Sequence, residues 1–133
     1  MRILVIGESC RDIFHYGECN RLCPEAPVPV FQTLRRESKD GMASNVASNL
    51  IGLGNSVNLL ANSQKIFKNR YIDEKTKQHR LRVDEGDASK IKEISDNEIE
   101  NIGLSDYNAV VISDYDKGFL PYDKMEKILK KVY

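Results

Sequence analysis

Residues 40–54, DGMASNVASNLIGLG, decide the fold, because they lead from two polar positions into a short helix of unusually small residues. Ala43, Val46, Ala47, Leu50 and Ile51 recur at three- and four-residue spacing, which lines one apolar face of a helix. The expectation is a buried helix over 43–53. Ser44, Asn45, Ser48 and Asn49 alternate with that face, and Gly52 and Gly54 close the segment, as glycine does where a chain leaves a helix through positive φ. One small turn later comes SVNLLAN, a strand candidate over 56–61, so the helix has a sheet to pack on.

Outward from this unit the same grammar repeats. Residues 2–6, Arg-Ile-Leu-Val-Ile, are a nearly continuous apolar run ending at Gly7, the pattern of a central parallel strand covered on both faces. NAVVIS, 108–113, repeats it, and YDKMEKILKKV, 122–132, reads as a final helix with Pro121 suited to its first turn. Ile91, Ile94, Ile99 and Ile102 are spaced for an amphipathic helix within the charged stretch 86–102, broken near Ser95 to Asn97. Strands at 2–6, 56–61 and 108–113 separated by helices predict an α/β fold with a parallel sheet.

Two other β segments fall outside that alternation. VPVFQTLRR, 28–35, is predicted as an edge strand because Pro29 removes an amide donor. Residues 66–84 alternate on either side of a polar turn at Asp73 to Lys77, with Ile66, Lys68, Arg70 and Ile72 on one side and Phe67, Asn69 and Tyr71 on the other. Together these predict a small separate antiparallel sheet. Residues 16–27, carrying Gly17, Pro24 and Pro27, read as an irregular connection.

Bulk properties bound the function. The 133 residues suffice for a single domain, and 41% hydrophobic with 30% charged residues is ordinary for a soluble protein. Twenty basic and twenty acidic residues cancel, which argues against nucleic acid or an anionic membrane as partner. The apolar run in MRILVIG is too short for a signal peptide or a membrane span, so a cytoplasmic location is expected. Three cysteines do not make a disulfide framework. Cys10, His15, Cys19 and Cys23 are potential zinc ligands, but their spacing matches no familiar finger and they read as ordinary small residues.

The candidate chemistry lies just past strand ends. Gly7, Glu8 and Asp12 follow the first strand, and Ser113, Asp114, Asp116, Lys117 and Gly118 follow the third, where open parallel sheets bind ligands. Neither a G-x-G-x-x-G loop nor a Walker A run occurs. Asp12 suits a polyol hydroxyl or, equally, a helix or turn cap, and the Asp-Lys neighbours suit a site or a plain surface pair.

Four ordered strings, GESCRDIFHYGECNRLCPEAPVPVF, GMASNVASNLIGLG, RYIDEKTKQHRLRVD and VVISDYDKGFL, resemble the amino-terminal half of sugar kinases of the ribokinase (PfkB) family. Within it the likeness is to the heptose 7-phosphate kinase domains of ADP-heptose synthesis. The resemblance implies a partial Rossmann-like sheet with a β lid at 28–35 and 66–84, and a homodimer formed through that lid. It implies that Asp12, Gly41 and Asn45 hold a sugar or sugar phosphate. By the same likeness Asp114, Lys117 and Gly118 sit near the site between sugar and nucleotide, with Asp114 and Lys117 among the substrate-binding residues and ATP with magnesium as the cofactors the family uses.

Departures from the family pattern set limits on that expectation. Gly41-Met42 stands where paired glycines are usual, Glu8 replaces a common Asp, and several dozen residues are missing between LLANS and KIFKNRY. By the resemblance the Asn-x-x-Glu motif near magnesium is expected downstream of these residues, and the Gly-Ala-Gly-Asp string that carries the general base does not occur in the 133 residues. The expectation is therefore a single, truncated domain over 1–133 with no catalytic residue of its own and no firmly bound ATP or magnesium. Phosphoryl transfer depends on a positioned base and an anion hole, so a non-catalytic sugar-binding or oligomerisation module is the alternative reading.

Overall fold

The structure, a computed structural model, describes residues 1–132; Tyr133 lies outside the described residues. β1 (Arg2–Gly7) is the centre of a three-stranded parallel sheet, flanked by β4 (Ser56–Ala61) and β7 (Ala109–Ser113). Its apolar run is explained by burial on both faces. Ile3 and Val5 face α1 (Ala43–Gly52) through Ala43 and Ala47, whose small side chains let the helix approach. Leu4 and Ile6 face the other way, into a cluster with Ile94, Ile99, Phe119, Leu120 and Ile128. That cluster is covered by α2 (Asp96–Glu100) and α3 (Tyr122–Val132). Gly7 is required where it stands, since a Cβ there would lie 1.9 Å from the Ser113 carbonyl oxygen on β7.

A second sheet of four strands has the order β3-β2-β5-β6, formed by β2 (Ser9–Leu22), β3 (Pro29–Met42), β5 (Phe67–Asp73) and β6 (His79–Glu85). The hairpin of β5 and β6 and the edge position of Pro29 agree with the sequence reading. The sheet is nevertheless mixed and not purely antiparallel, because β2 pairs with β5 in parallel. Residues 16–22, expected to be irregular, belong to the 14-residue strand β2, and β3 runs well past residue 35 to Met42. Gly17 is a packing requirement within β2: a Cβ there would lie 2.2 Å from the Gln32 carbonyl oxygen.

Two further expectations are corrected. Residues 86–95 form no helix; Ile91 and Ile94 are buried on an irregular segment whose amides donate to the carbonyls of Lys117 and Phe119 at 3.1 and 2.9 Å. Helix begins only after Ser95, whose hydroxyl accepts from the Glu98 amide while the Glu98 carboxylate accepts from the Ser95 amide, a capping box. On α1 only Ala43 and Ala47 are buried, and Ile51 is 55% exposed. No described helix is long and apolar enough to cross a membrane.

Candidate functional site

The region where the two sheets join collects the residues singled out above. β2 leaves the end of β1 at Ser9 and pairs Cys10 with Gly41 and Asp12 with Lys39 across to β3. Because alternate strand residues share a face, Cys10, Asp12 and Phe14 point the same way, together with Lys68 and Arg70 of β5. Gly41 is what lets this cluster close. A Cβ there would lie 2.5 Å from Oδ2 of Asp12 and 2.5 Å from Sγ of Cys10.

Asp12 is half-buried and accepts from Arg70, Nη2 at 2.8 Å and Nε at 3.3 Å. Lys39 and Lys68 sit directly across from it on the two neighbouring strands, and neither has a carboxylate within ion-pair distance among the described residues. Further out, Arg82 holds Asp84 at 2.7 Å. That bond, with the charges of Arg82, Lys68 and Lys117, keeps the Asp84 carboxyl below the usual carboxylate range. Burial, and then the charge of Asp12, push the Cys10 thiol above its ordinary value despite Lys68 and Arg70, so Cys10 is a protonated packing residue at neutral pH.

The helix start behind Gly41 is tied to β2. The Ala43 amide donates to the Glu8 carbonyl at 2.8 Å, and the Ser44 hydroxyl donates to the Gly41 carbonyl at 2.7 Å. Met42, where the family pattern has a second glycine, stands at φ 58° and ψ −132°, a conformation that favours glycine. Its side chain is buried in the core against Leu4 and Ile6 and does not project toward Asp12. Packing of a large apolar side chain offsets backbone strain of about 1–3 kcal/mol. Asn45 lies exposed in the first turn of α1.

The loop after β7 carries the second set of expected residues. Asp114 and Asp116 are exposed, with the Asp116 amide donating to Asp114 Oδ1 at 2.9 Å. Lys117 is engaged by Asp87 at 2.7 Å. Gly118 adopts φ 99°, and a Cβ on it would strike the aliphatic chain of Lys90 at 2.6 Å. Two hollows of about 400 and 260 Å³ meet along Lys90, Asp116 and Gly118. A larger groove, about 650 Å³, lies between α1, β4, the start of β2 and the short connection 62–65, with Cys10, Arg11, Asp40 and Ser44 as well as Ile51 and Leu59 on its walls. It runs along the connection where the family resemblance expects several dozen more residues.

Among the expected site residues the structure brings Asp12 and Gly41 into contact, and sets Asp114, Lys117 and Gly118 on one loop. Glu8, expected at the crevice, is instead fully buried. Lys39, Lys68, Arg70 and Lys90 were not singled out from sequence, although the period-two alternation of β2 and β3 carries the signal that aligns Lys39 with Asp12. Cys10 and His15 lie five residues apart on one strand and so face opposite sides of it. Among the described residues no group of three His, Cys, Asp or Glu side chains is placed to hold a metal.

This pairing of a parallel sheet with a mixed lid at the carboxyl end of β1 recurs among solved structures. A Staphylococcus aureus structure described as a phosphofructokinase shares this fold with a TM-score of 0.56 over 98% of this chain and 49% of its own, at 10% identity. No family model matches the chain. Among curated sequences, the bifunctional protein HldE of Campylobacter jejuni subsp. doylei is 33% identical over 98% of this chain and 33% of its own length. HldE of Nitratiruptor sp. is 28% identical over 98% of this chain and 34% of its own. A D-beta-D-heptose 7-phosphate kinase of Bordetella bronchiseptica is 48% identical over 59 residues, 44% of this chain and 19% of its own. In sequence the chain is similar to these HldE and heptose 7-phosphate kinase proteins. It spans about a third of the length of the HldE relatives it matches. The Nitratiruptor match runs over 158 positions against 133 residues here, so this chain is shortened internally relative to that protein.

Proposed function

We propose that this chain binds a phosphorylated sugar between the start of α1 and the charged face of the lid, as the sugar-holding part of a heptose-kinase-like fold. The observation that carries the reading is the position of Asp12 between two lysines free of carboxylate partners, beside a glycine that leaves room for a ligand. A carboxylate accepts sugar hydroxyls, while Lys39 and Lys68 offer compact positive charge to a phosphate. Asp12, Gly41 and Asn45 hold the sugar, and Arg70 either shares the Asp12 carboxylate with it or yields to it. The names of the relatives, heptose 7-phosphate kinases, agree with a ligand that carries both groups.

Asp114 and Lys117 border the phosphoryl-donor side in this reading. Asp114 and Asp116 are hard oxygen donors of the kind magnesium takes, and Lys90 has no carboxylate within ion-pair distance among the described residues. ATP with magnesium would supply the phosphoryl group there. No step of the transfer is assigned to this chain, whose residues bind and orient the acceptor. The lid's opposite face, with Leu81 57% and Val83 37% exposed beside Tyr71, supports a homodimer formed through the lid.

The test is calorimetry with heptose 7-phosphate and with the unphosphorylated heptose. Asp12→Ala should weaken both by about tenfold or more, as expected for loss of a charge-assisted hydrogen bond. Lys68→Met should weaken only the phosphorylated sugar. Unchanged affinity in Asp12→Ala would remove the proposed site.

A further inference from the structure

Among the described residues Glu8 is the one fully buried carboxylate, and none of their lysines or arginines lies within ion-pair distance of it. Its compensation comes from backbone. Oε2 accepts from the Tyr115 amide at 2.8 Å, and Oε1 accepts from the amides of Lys117 and Phe119 at 3.2 and 3.1 Å. Its own carbonyl accepts from the Ala43 amide at 2.8 Å, the first residue of α1. A single residue at the end of β1 therefore holds both the helix start behind Gly41 and the loop that carries Asp114, Asp116 and Lys117.

The chemistry makes this more than a packing contact. Buried acceptor oxygens deprived of their donors are strongly disfavoured, so the loop cannot lift away without leaving the Glu8 carboxyl group unpaired in the core. The loop needs such an anchor: Asp116, a residue with a Cβ, stands at φ 54°, a conformation that its surroundings must hold. All three anchored amides belong to alternate residues, 115, 117 and 119, so the intervening Asp116 is turned outward and exposed.

We infer that Glu8 is a positioning residue that fixes the spacing between the sugar shelf and the Asp114–Gly118 loop, and that it touches no ligand itself. The pinning stands on the geometry alone; its effect on binding rests on the sugar-phosphate reading above. Glutamine keeps the shape but replaces one acceptor oxygen by an NH2 that faces amide donors. Aspartate keeps the charge on a side chain one methylene shorter.

Amide hydrogen exchange read residue by residue tests the pinning without any ligand. In the unaltered protein the Tyr115 and Lys117 amides should exchange within about tenfold of those in β7, although they belong to a largely exposed loop. In Glu8→Gln, the amides of 115, 117 and 119 should exchange about tenfold or more faster relative to Val5. Glu8→Asp should recover part of that protection. The affinity for heptose 7-phosphate should fall about tenfold in Glu8→Gln and recover in part in Glu8→Asp. Rapid exchange of Tyr115 and Lys117 in the unaltered protein would overturn the inference even if no variant folds. So would an equal acceleration of every slow amide in Glu8→Gln, which marks a plain loss of stability. If the exchange pattern holds and neither protein binds the sugar phosphate, the inference about the loop stands and the ligand assignment fails.

Discussion

The body and the lid are held together by different means. In the body, β1 is buried on both faces and its strand order follows from apolar side chains that must leave water. In the lid, every residue of β6 is exposed, and stability comes from backbone pairing and charge: Arg80 with Asp73 and Arg35 with Glu74 between segments, Arg82 with Asp84 and Arg35 with Glu37 along one strand. Its few buried groups include His15 and Asn69, bonded to each other at 3.0 Å, with Tyr71 stacked on His15 at 4.5 Å. The body is specified by burial within the chain, whereas the lid offers two faces, one charged and one apolar, to something outside it.

The sharpest test of that contrast is a pair of truncations. Ile6→Ala removes a fully buried side chain from the larger core cluster and should cost about 2–5 kcal/mol. Leu81→Ala, in the middle of β6, should stay within about 0.5 kcal/mol. Urea unfolding midpoints compare the two. Similar losses would mean that the lid has a core of its own and that the contrast is wrong.

The same difference decides what could be read in advance. The runs at 2–6 and 109–113 announced a parallel sheet because strands buried on both faces are apolar throughout. β2 gave no such signal: it is half-buried on both sides, and its parallel partner β5 lies more than fifty residues away. Ile91 and Ile94 matched a helical period although their segment is not helical; three-residue spacing is equally met by a chain lying along Lys117 and Phe119 with its side chains in the core. At the site, Asp12 and Gly41 stood out through their motifs. Lys39 and Lys68 did not, since a lysine on a half-exposed strand looks like solvent-facing decoration until the register sets it opposite a carboxylate. Glu8 was misplaced for a related reason. Position past a strand end says that a side chain is near a crevice, but not whether it points in or out.

A second prediction addresses the lid's apolar face. Leu81 and Val83 share that face with Tyr71, and their exposure is of the kind that marks an interaction surface. If a second copy covers it, sedimentation at increasing concentration should show a dimer, and Leu81→Arg should shift it to monomer while leaving the unfolding midpoint of the isolated chain little changed. A concentration-independent monomer in the unaltered protein would leave the lid complete by itself and break the comparison from the other side.

The smallest effect concerns how the body's own surface is laced. Asp96, in the first turn of α2, accepts from Lys124 at 2.8 Å and Lys127 at 2.6 Å, joining α2 to α3 across the outer layer. The bond with Lys124, then that with Lys127, brings its pKa down to about 2. A carboxylate whose folded value lies below its unfolded value of roughly 4 favours the folded state above that unfolded value and loses the contribution as pH falls toward the folded one. Asp96→Asn should therefore melt lower than the unaltered protein at pH 5 to 7, with the gap closing between about pH 4 and 2. Because Asp96 and Lys127 face solvent, added salt should narrow the gap at neutral pH as well. A gap that persists unchanged at pH 2 would mean that the carboxamide disturbs α2 itself. The ionic tie between the helices would then contribute nothing, and burial alone would hold the body's outer layer.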